Sequence, residues 1–443
     1  MKTAHDRTRK SSAAWIVAGI VLIGTCATVA AQRLGPRAGL VDASYFGMHM
    51  HYMVKPSPAA RTTAWPSATF GTWRLVDAYV KWSDLEPKRG QWNFSILDKY
   101  ADLARKHGVS LLYTLGHPPK WASARPDEPA YTYGAGSAAE PGDLADWDNY
   151  VRTVATRYRG VIGAYEIWNE PKFSEVESAF NKQGNAAFYS GSAAQMVELA
   201  RRAHRIIKEV DPQAKVLTPG FHEAEAGVKR LDLFLRLGGG AVTDVVAFHL
   251  YAPSPESMLP IIEKIRAVMD KHGIGDRELW NTETGYFTEN PDEPKLTATG
   301  RTLNERDAAG YVARSLVLAA AAGVRRFYWY AWDNGALGLT VGRGRQPNMA
   351  AQAYEQTARW LRGAVVEACE WKDKKQWVCT LKRGSRTAWM VWRTEGSEEW
   401  SAPGSAVEME SLDGSRAAVP STHAIRVQAS PVLVKADTAG WSS

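Results

Sequence analysis

The sequence predicts an α/β protein, a (β/α)8 TIM barrel followed by a small C-terminal antiparallel β domain, and three observations lead to that class. Between residues 44 and 361, short apolar runs alternate with longer helical patterns, the rhythm of βα units around a parallel sheet. Eight such runs can be counted. Beyond residue 363 the rhythm gives way to short alternating segments separated by Lys, Gly and Ser turns, which suits an antiparallel sheet. The length of 443 residues, 45% of them hydrophobic and 23% charged, excludes a disordered or collagen-like chain. It leaves room for a barrel of about 250 residues with insertions.

Taken in order, the strand candidates are residues 45–49, 72–75, 110–115, 161–168, 216–218, 245–250, 278–281 and 326–332. Helical patterns follow most of them, at 96–107, 146–158, 193–210, 229–237, 257–272, 304–322 and 350–361. An open doubly wound sheet is the competing architecture. It normally carries a glycine-rich phosphate loop after the first strand, where this chain has Met48-His49-Met50-His51. The run Gly238-Gly239-Gly240 follows a helical pattern and reads as a helix stop. Segments such as 377–381 and 388–392 build the β domain. No repeat or low-complexity linker separates residues 40–362 from 363–443, so the two parts are expected to pack directly together.

Residues 1–31 read as an export signal: a basic start, then an uncharged stretch from Ser11 to Ala31. Small residues at Val29 and Ala31 suit cleavage, while 21 uncharged residues, with residues 13–31 at their centre, equally suit a retained membrane anchor. Periplasmic, inner-membrane-anchored and secreted locations all fit. Cys369 and Cys379 remain once Cys26 is set aside, and a disulfide is expected between them on an exported chain. The formal charge is +7, of which the first 31 residues supply +3. The remainder is mild and undispersed into any basic tract, so nucleic acid is not an expected partner. Eighteen tryptophans suit either sugar stacking or core packing. Tyr131, Tyr133, Trp121 and Trp147, in the early loops, are candidates for stacking subsites.

In a barrel the chemistry sits at the C-terminal strand ends, and two acids stand there. The run Tyr165-Glu166-Ile167-Trp168-Asn169-Glu170-Pro171 ends the fourth strand, and Leu279-Trp280-Asn281-Thr282-Glu283-Thr284-Gly285 ends the seventh. Strands three steps apart around an eight-stranded ring can direct both acids at one reacting atom. Glycoside hydrolysis needs such a pair, one carboxyl protonated for the leaving oxygen and one ionised to attack or to activate water. Asn169 is placed to hydrogen-bond a sugar hydroxyl. Arg74, at another strand end, is placed to grip an anionic Glu283 with both arms of its guanidinium, while Glu170 beside Trp168 is expected to stay protonated.

Further residues extend the pattern: Arg74, Trp82, Leu85, Glu86-Pro87, Gly90, Trp92-Asn93-Phe94 and Leu97-Asp98 early, His249-Leu250-Tyr251 at the sixth strand end, and Trp329-Tyr330-Ala331-Trp332 at the eighth. With Asn169-Glu170, these resemble the clan A glycoside hydrolases. The likeness is greatest to family 39-like enzymes, including Psl-type exopolysaccharide endoglycosidases and bacterial β-xylosidase-like proteins. The resemblance implies Glu170 as acid/base and Glu283 as nucleophile of a retaining double displacement. It also implies Arg74 and Tyr251 as supports of the nucleophile, Trp332 as the floor of a sugar subsite, and a β module beside the barrel. His49, His51 and His117-Pro118-Pro119 match no defined substrate pattern, and His117 and His249 are read as substrate-contacting or orienting residues.

The expected activity is therefore that of a retaining β-glycosidase, endo-acting on a polysaccharide or oligosaccharide such as a bacterial exopolysaccharide. No cofactor and no metal is required, and a monomer is expected. Two rivals differ in class. His49, His51, His222, His249 and Asp333 suggest a metal-dependent barrel hydrolase. A barrel that only binds carbohydrate, as a scaffold for polysaccharide secretion, is the other.

Overall fold

The computed structural model describes residues 32–34, 39–55, 57, 62–130, 133–176, 188–291, 302–342, 346–372, 375–438 and 440–441. The export segment 1–31, Cys26 and Tyr131 lie outside these residues. No helix among the described residues is long and apolar enough to cross a membrane.

Strand β1 (Gln32–Leu34) comes first, and then eight strands close a parallel barrel in chain order: β2 (Phe46–His49), β3 (Thr72–Leu75), β4 (Ser110–Leu115), β5 (Ile162–Ile167), β6 (Lys215–Leu217), β7 (Val245–His249), β8 (Glu278–Thr284) and β9 (Val324–Trp329). The helices that cover it are α1 (Trp82–Leu85), α2 (Ser95–His107), α3 (Leu144–Arg157), α4 (Ala193–Val210), α5 (Ala224–Arg236), α6 (Met258–Lys271), α7 (Glu305–Ala321) and α8 (Met349–Leu361). Capping explains several starts. Asp143, Ser192, Asn304 and Asn348 each accept a backbone N–H of the first turn, satisfying donors that have no partner inside the helix. Helix α2 ends on Gly108, whose positive φ of 66° is the left-handed stop that glycine adopts without a Cβ clash.

Leu112, Ala164, Leu217, Val245, Ala247, Trp280 and Tyr328 fill the barrel interior as one cluster. Arg326 lies over the Trp280 ring at 3.9 Å, so the strand positions that point inward below the mouth are occupied by packing. The tryptophans serve mostly as core: Trp73, Trp82, Trp147, Trp168, Trp280, Trp329 and Trp360 are buried in the barrel part. Trp147 donates its indole N–H to Leu199 O at 3.1 Å, so this ring packs under α4 and offers no sugar platform.

The hairpin β10 (Thr340–Val341) and β11 (Gln346–Pro347) precedes α8. The C-terminal part holds β12 (Val365–Lys372), β13 (Gln376–Arg383), β14 (Arg386–Arg393), β15 (Glu398–Ser401), β16 (Glu408–Glu410), β17 (Arg416–Ala418), β18 (Ala424–Val427) and β19 (Val432–Lys435). Its main sheet runs β1-β12-β13-β14-β19-β16-β17. The N-terminal strand thus joins the C-terminal sheet, a pairing that a division at residue 40 does not foresee. Cys369 and Cys379 face each other across β12 and β13 and are joined as a disulfide. Trp392 donates to Glu256 Oε1 at 3.0 Å and Arg314 to Glu256 Oε2 at 2.8 Å, so the β sheet and the barrel share buried polar contacts.

Candidate active site

Alternation along the strands decides what reaches the barrel mouth. On β3, Thr72 and Arg74 point inward while Trp73 packs outward against Tyr100 of α2. On β5, Glu166 shares the inward parity of Ala164, and the chain then leaves the strand through Trp168 at φ 86° and Glu170 at φ 44°. Both are left-handed non-glycine conformations, costing about 1–3 kcal/mol each, and such residues concentrate where a site fixes its geometry. Glu170 N–H donates to Gly220 O at 3.0 Å, and Gly220 N–H to Trp168 O at 3.1 Å, which ties the turn to the loop after β6.

Irregular pairing places the second acid. The register between β7 and β8 slips between Phe248 and His249, so that His249 stands opposite Glu283. Such bulges re-aim side chains beside active sites. Asn281 holds the irregularity by accepting from Leu250 N–H and Thr284 Oγ1, both at 3.0 Å.

The resulting cluster is tight. Arg74 Nη1 donates to Glu283 Oε2 at 2.8 Å and Nη2 to Asn169 Oδ1 at 2.7 Å, while Tyr251 OH donates to Glu283 Oε1 at 2.9 Å. His249 Nδ1 lies 2.8 Å from Glu170 Oε1 and 3.9 Å from Glu283 Oε2. One oxygen of each glutamate and a ring nitrogen of His249 all lie within 4.8 Å of one another. The two-armed grip expected on Glu283 falls elsewhere. Arg74 Nε and Nη2 both go to Glu166 Oε2, the former at 2.9 Å, and Thr114 Oγ1 adds a third donor at 3.0 Å. Glu166 was overlooked as a site residue, although its inward parity two positions from Trp168 marks a buried charge that needs a cation.

Burial raises both acids, and hydrogen bonding separates them. Burial pushes the carboxyl of Glu170 above its ordinary range. Glu283 is raised as well, by burial first and by the charge of Glu170, with His249 and the Arg74 cation bonded to it opposing. The pair therefore keeps a proton into a range where isolated carboxyls are ionised. That proton belongs on Glu170, because Arg74 and Tyr251 both donate to Glu283 and favour its anion. Burial holds His249 down to about 4, against the pull of Glu283, and leaves its imidazole neutral at pH 7. For Arg74 burial disfavours the charge, but Glu166 and Glu283 outweigh it and hold the guanidinium protonated.

The rim is phenolic. Asp77, at φ 54°, accepts from Tyr133 OH and, at 2.9 Å, from Tyr330 OH. Burial would raise this carboxyl, yet His51 and the two phenols hold it below its ordinary value. Asp77 had no sequence signal beyond its place two residues past β3. Tyr330, rather than Trp332, is the half-buried aromatic beside it. Trp332 is only 3% exposed and packs in the hydrophobic core, its carbonyl accepting from Thr340 Oγ1 at 2.8 Å. His117, also 3% exposed, lies beneath Tyr133 and Trp168 with ring centroids at 4.5 and 5.5 Å, and burial lowers it to about 3. The structure thus gathers Glu170, Glu283, Asn169, Arg74, His249 and Tyr251 into two hydrogen-bonded groups side by side at the mouth, and His117 and Trp332 pack among buried rings and core residues.

The imidazoles of the metal-dependent rival do not converge. His49 Nε2 faces Thr282 O at 2.9 Å, and Asp333 accepts the backbone N–H groups of His51 and Tyr52, each at 2.9 Å, and Thr63 Oγ1 at 2.8 Å. Among the described residues the one group able to ligate an ion is Glu170, His249 and Glu283.

Known proteins resemble this chain in parts of its sequence and in its fold. Residues 44–236 match the model of glycosyl hydrolase family 10. An endo-1,4-beta-xylanase A of Phanerodontia chrysosporium is 30% identical over 157 residues, 35% of this chain and 34% of that protein. An endo-1,4-beta-xylanase C of the same organism is 26% identical over 230 residues, 50% of this chain and 52% of that protein. The matched stretches thus span between a third and about half of these relatives. Two solved structures share the fold along most of both chains. A GH30 endoxylanase from Clostridium papyrosolvens C71 has a TM-score of 0.59 at 15% identity, covering 91% of this chain and 98% of that one. The GH39 enzyme from Xanthomonas axonopodis pv. citri has a TM-score of 0.57 at 15% identity, covering 90% and 95%. The family whose model matches is family 10, whereas the resemblance read from the sequence was to family 39.

Proposed function

We propose that this protein is a retaining, endo-acting β-glycosidase that cleaves a β-linked polysaccharide. The observation that carries the reading is the pair Glu170 and Glu283, with oxygens within 4.8 Å of one another, the first just past the fourth barrel strand and the second at the end of the seventh. Retention uses carboxyls about 5–5.5 Å apart, and inversion about 6.5–9.5 Å, to leave room for water. The close spacing supports retention.

In the first step Glu283, its anion held by Arg74 and Tyr251, attacks the anomeric carbon as Glu170 passes its proton to the leaving oxygen. The C–O bond to the leaving sugar breaks and a glycosyl ester forms on Glu283. Glu170, now a carboxylate, then takes a proton from water, whose oxygen displaces Glu283 and restores both groups. Asn169, fixed by Arg74 Nη2, is positioned for a sugar hydroxyl as charge develops on the ring.

The polysaccharide is the finer part of the proposal. Relatives named as endo-1,4-beta-xylanases support an endo-acting enzyme on a pyranose backbone. The export pattern of residues 1–31 and the disulfide support action outside the cytoplasm, where a bacterial exopolysaccharide of a Psl-like system is the substrate we favour. The test is product analysis with residues 32–443 on xylans and bacterial exopolysaccharides, with Glu283→Gln as control. Oligosaccharides of several lengths with retained anomeric configuration, released by wild type alone, are expected. Inverted products would remove the mechanism, and monosaccharides alone would remove endo action.

A further inference from the structure

We infer that the catalytic cluster is also an inhibitory site for a divalent transition cation such as Zn2+, held by Glu170, His249 and Glu283. The donor set is the kind zinc takes, one imidazole nitrogen and two carboxylate oxygens. His249 Nδ1 lies 2.8 Å from one carboxylate oxygen and 3.9 Å from the other. These spacings straddle the roughly 3.4 Å between ligands of a tetrahedral ion with bonds of about 2.0–2.2 Å, and the two carboxylate oxygens lie within 4.8 Å of each other, so drawing the carboxylates together completes the set.

A carboxylate able to orient the imidazole lies close by. Ligating histidines usually give their other ring nitrogen to a carboxylate, which fixes the tautomer that leaves the ligand nitrogen free. His249 Nε2 and Glu166 Oε1 are both buried, and no hydrogen bond reaches either. Both border the space at Gly220, where a Cβ would lie 2.6 Å from Nε2 and 2.8 Å from Oε1. Glycine at position 220 keeps that space open, so the imidazole can turn to Glu166 as Nδ1 takes up the ion. Arg74, bonded at 2.8 Å to the same oxygen, Glu283 Oε2, holds that ligand in place. Charge favours a dication as well, because the carboxylates of Glu166, Glu283 and Asp77 outnumber the single guanidinium of Arg74, and the ion displaces the proton of Glu170. Bound there, the ion occupies the seat of the Glu170 proton and masks the attacking oxygen of Glu283. It would block the enzyme, where the metal-dependent rival requires activation.

The test is titration of ZnCl2 into the full chain by calorimetry, with Co2+ absorption reporting coordination. One ion per chain is expected, with affinity reduced about tenfold or more in His249→Phe and in Glu170→Gln. Binding should be unchanged in His272→Ala, which removes a peripheral histidine paired with Asp232 at 2.7 Å. Thermal melts check each fold, and if His249→Phe fails to fold, Glu170→Gln at the open mouth carries the comparison. Equal binding by wild type and the mouth variants, loss in His272→Ala, or no binding at all would overturn the site. Inhibition competitive with glycan is expected, and activation would overturn it in favour of a metal hydrolase. The inhibition arm rests on the glycosidase reading. Zinc binding in a protein that cleaves no glycan would remove that reading and leave the site standing.

Discussion

Two regions of this molecule bury ionised side chains, and they do so differently. In the C-terminal sheet, Lys435 is fully buried and pairs with Glu408 Oε1 at 2.9 Å and with Glu410 Oε2, while Arg416 meets Glu410 Oε1 at 3.1 Å. Two cations face two acids, and Trp360 donates to Glu410 as well. At the barrel mouth one guanidinium faces Glu166 and Glu283, with Glu170 left to His249. The balanced cluster needs no proton, whereas the acid-rich one can be buried only by keeping one. A buried charge cluster that balances is architecture, and one that must hold a mobile proton is equipped for chemistry.

Substitution at the mouth should break this contrast most severely. Glu283→Gln removes the attacking carboxylate, and loss of one member of a catalytic unit costs roughly 10^4 to 10^6 in kcat. Steady-state kinetics and thermal melts on the same sample check it, and the fold is expected to be kept, since the amide oxygen still accepts from Arg74 and the amide NH2 can donate to Tyr251 OH. Glu170→Gln should cost about 10^2 to 10^4 with ordinary glycans. The loss should shrink for an aryl glycoside whose leaving group departs without a proton, and an equal loss with both substrates would remove Glu170 as the acid.

Lys435→Met tests the other cluster. It removes the cation that Glu408 and Glu410 share and leaves Glu410 with only the half-exposed Arg416, and breaking a buried pair costs about 3–5 kcal/mol. Denaturant unfolding should register that loss while kcat/KM, measured where the protein remains folded, stays within about twofold of wild type. A large fall in kcat would mean that the sheet cluster is coupled to the mouth. Opening the disulfide by Cys369→Ser with Cys379→Ser should cost less, about 2–3 kcal/mol for so short a loop, again without loss of activity.

How far these regions were legible differs for a physical reason. The alternation of short apolar runs with helical patterns identified the barrel, and strand ends placed Glu170, Glu283, Asn169 and Arg74, because positions at one end of a closed sheet are few. Period-two parity applied to Glu166 would have found the partner that takes both arms of Arg74. Asp77 and Tyr330 were hidden because loop conformation aims them, and a left-handed φ at an aspartate leaves no mark in composition. Trp332 shows the limit from the other side. The resemblance implies a sugar floor for this aromatic, and the structure packs it among the buried hydrophobic residues at 3% exposure. Strand β1 was missed because three residues give no periodicity to read.

The smallest effect is the one that separates the clusters by pH alone. Glu410 is held below its ordinary value: burial pushes upward, but the bonds from Lys435 and Arg416 outweigh it. Its contribution to stability is thus present above the unfolded carboxyl value of about 4.3 and is lost as pH falls through the lower folded value. Glu170 is raised by burial, so its folded form binds its proton more tightly than the unfolded chain does. Stability from that group falls as pH rises from the unfolded value to the raised folded one. Acid thus strengthens the mouth above the unfolded value and weakens the sheet below it. Comparing unfolding of wild type with Glu170→Gln from pH 7 down to 4 should therefore show the variant's advantage shrinking as pH falls, because wild type regains the proton that the amide replaces. The limb of kcat/KM that fails with rising pH should lie above the ordinary carboxyl range and report the same group. A stability difference independent of pH would mean that Glu170 is ionised throughout, and the contrast between the two clusters would then be one of geometry alone.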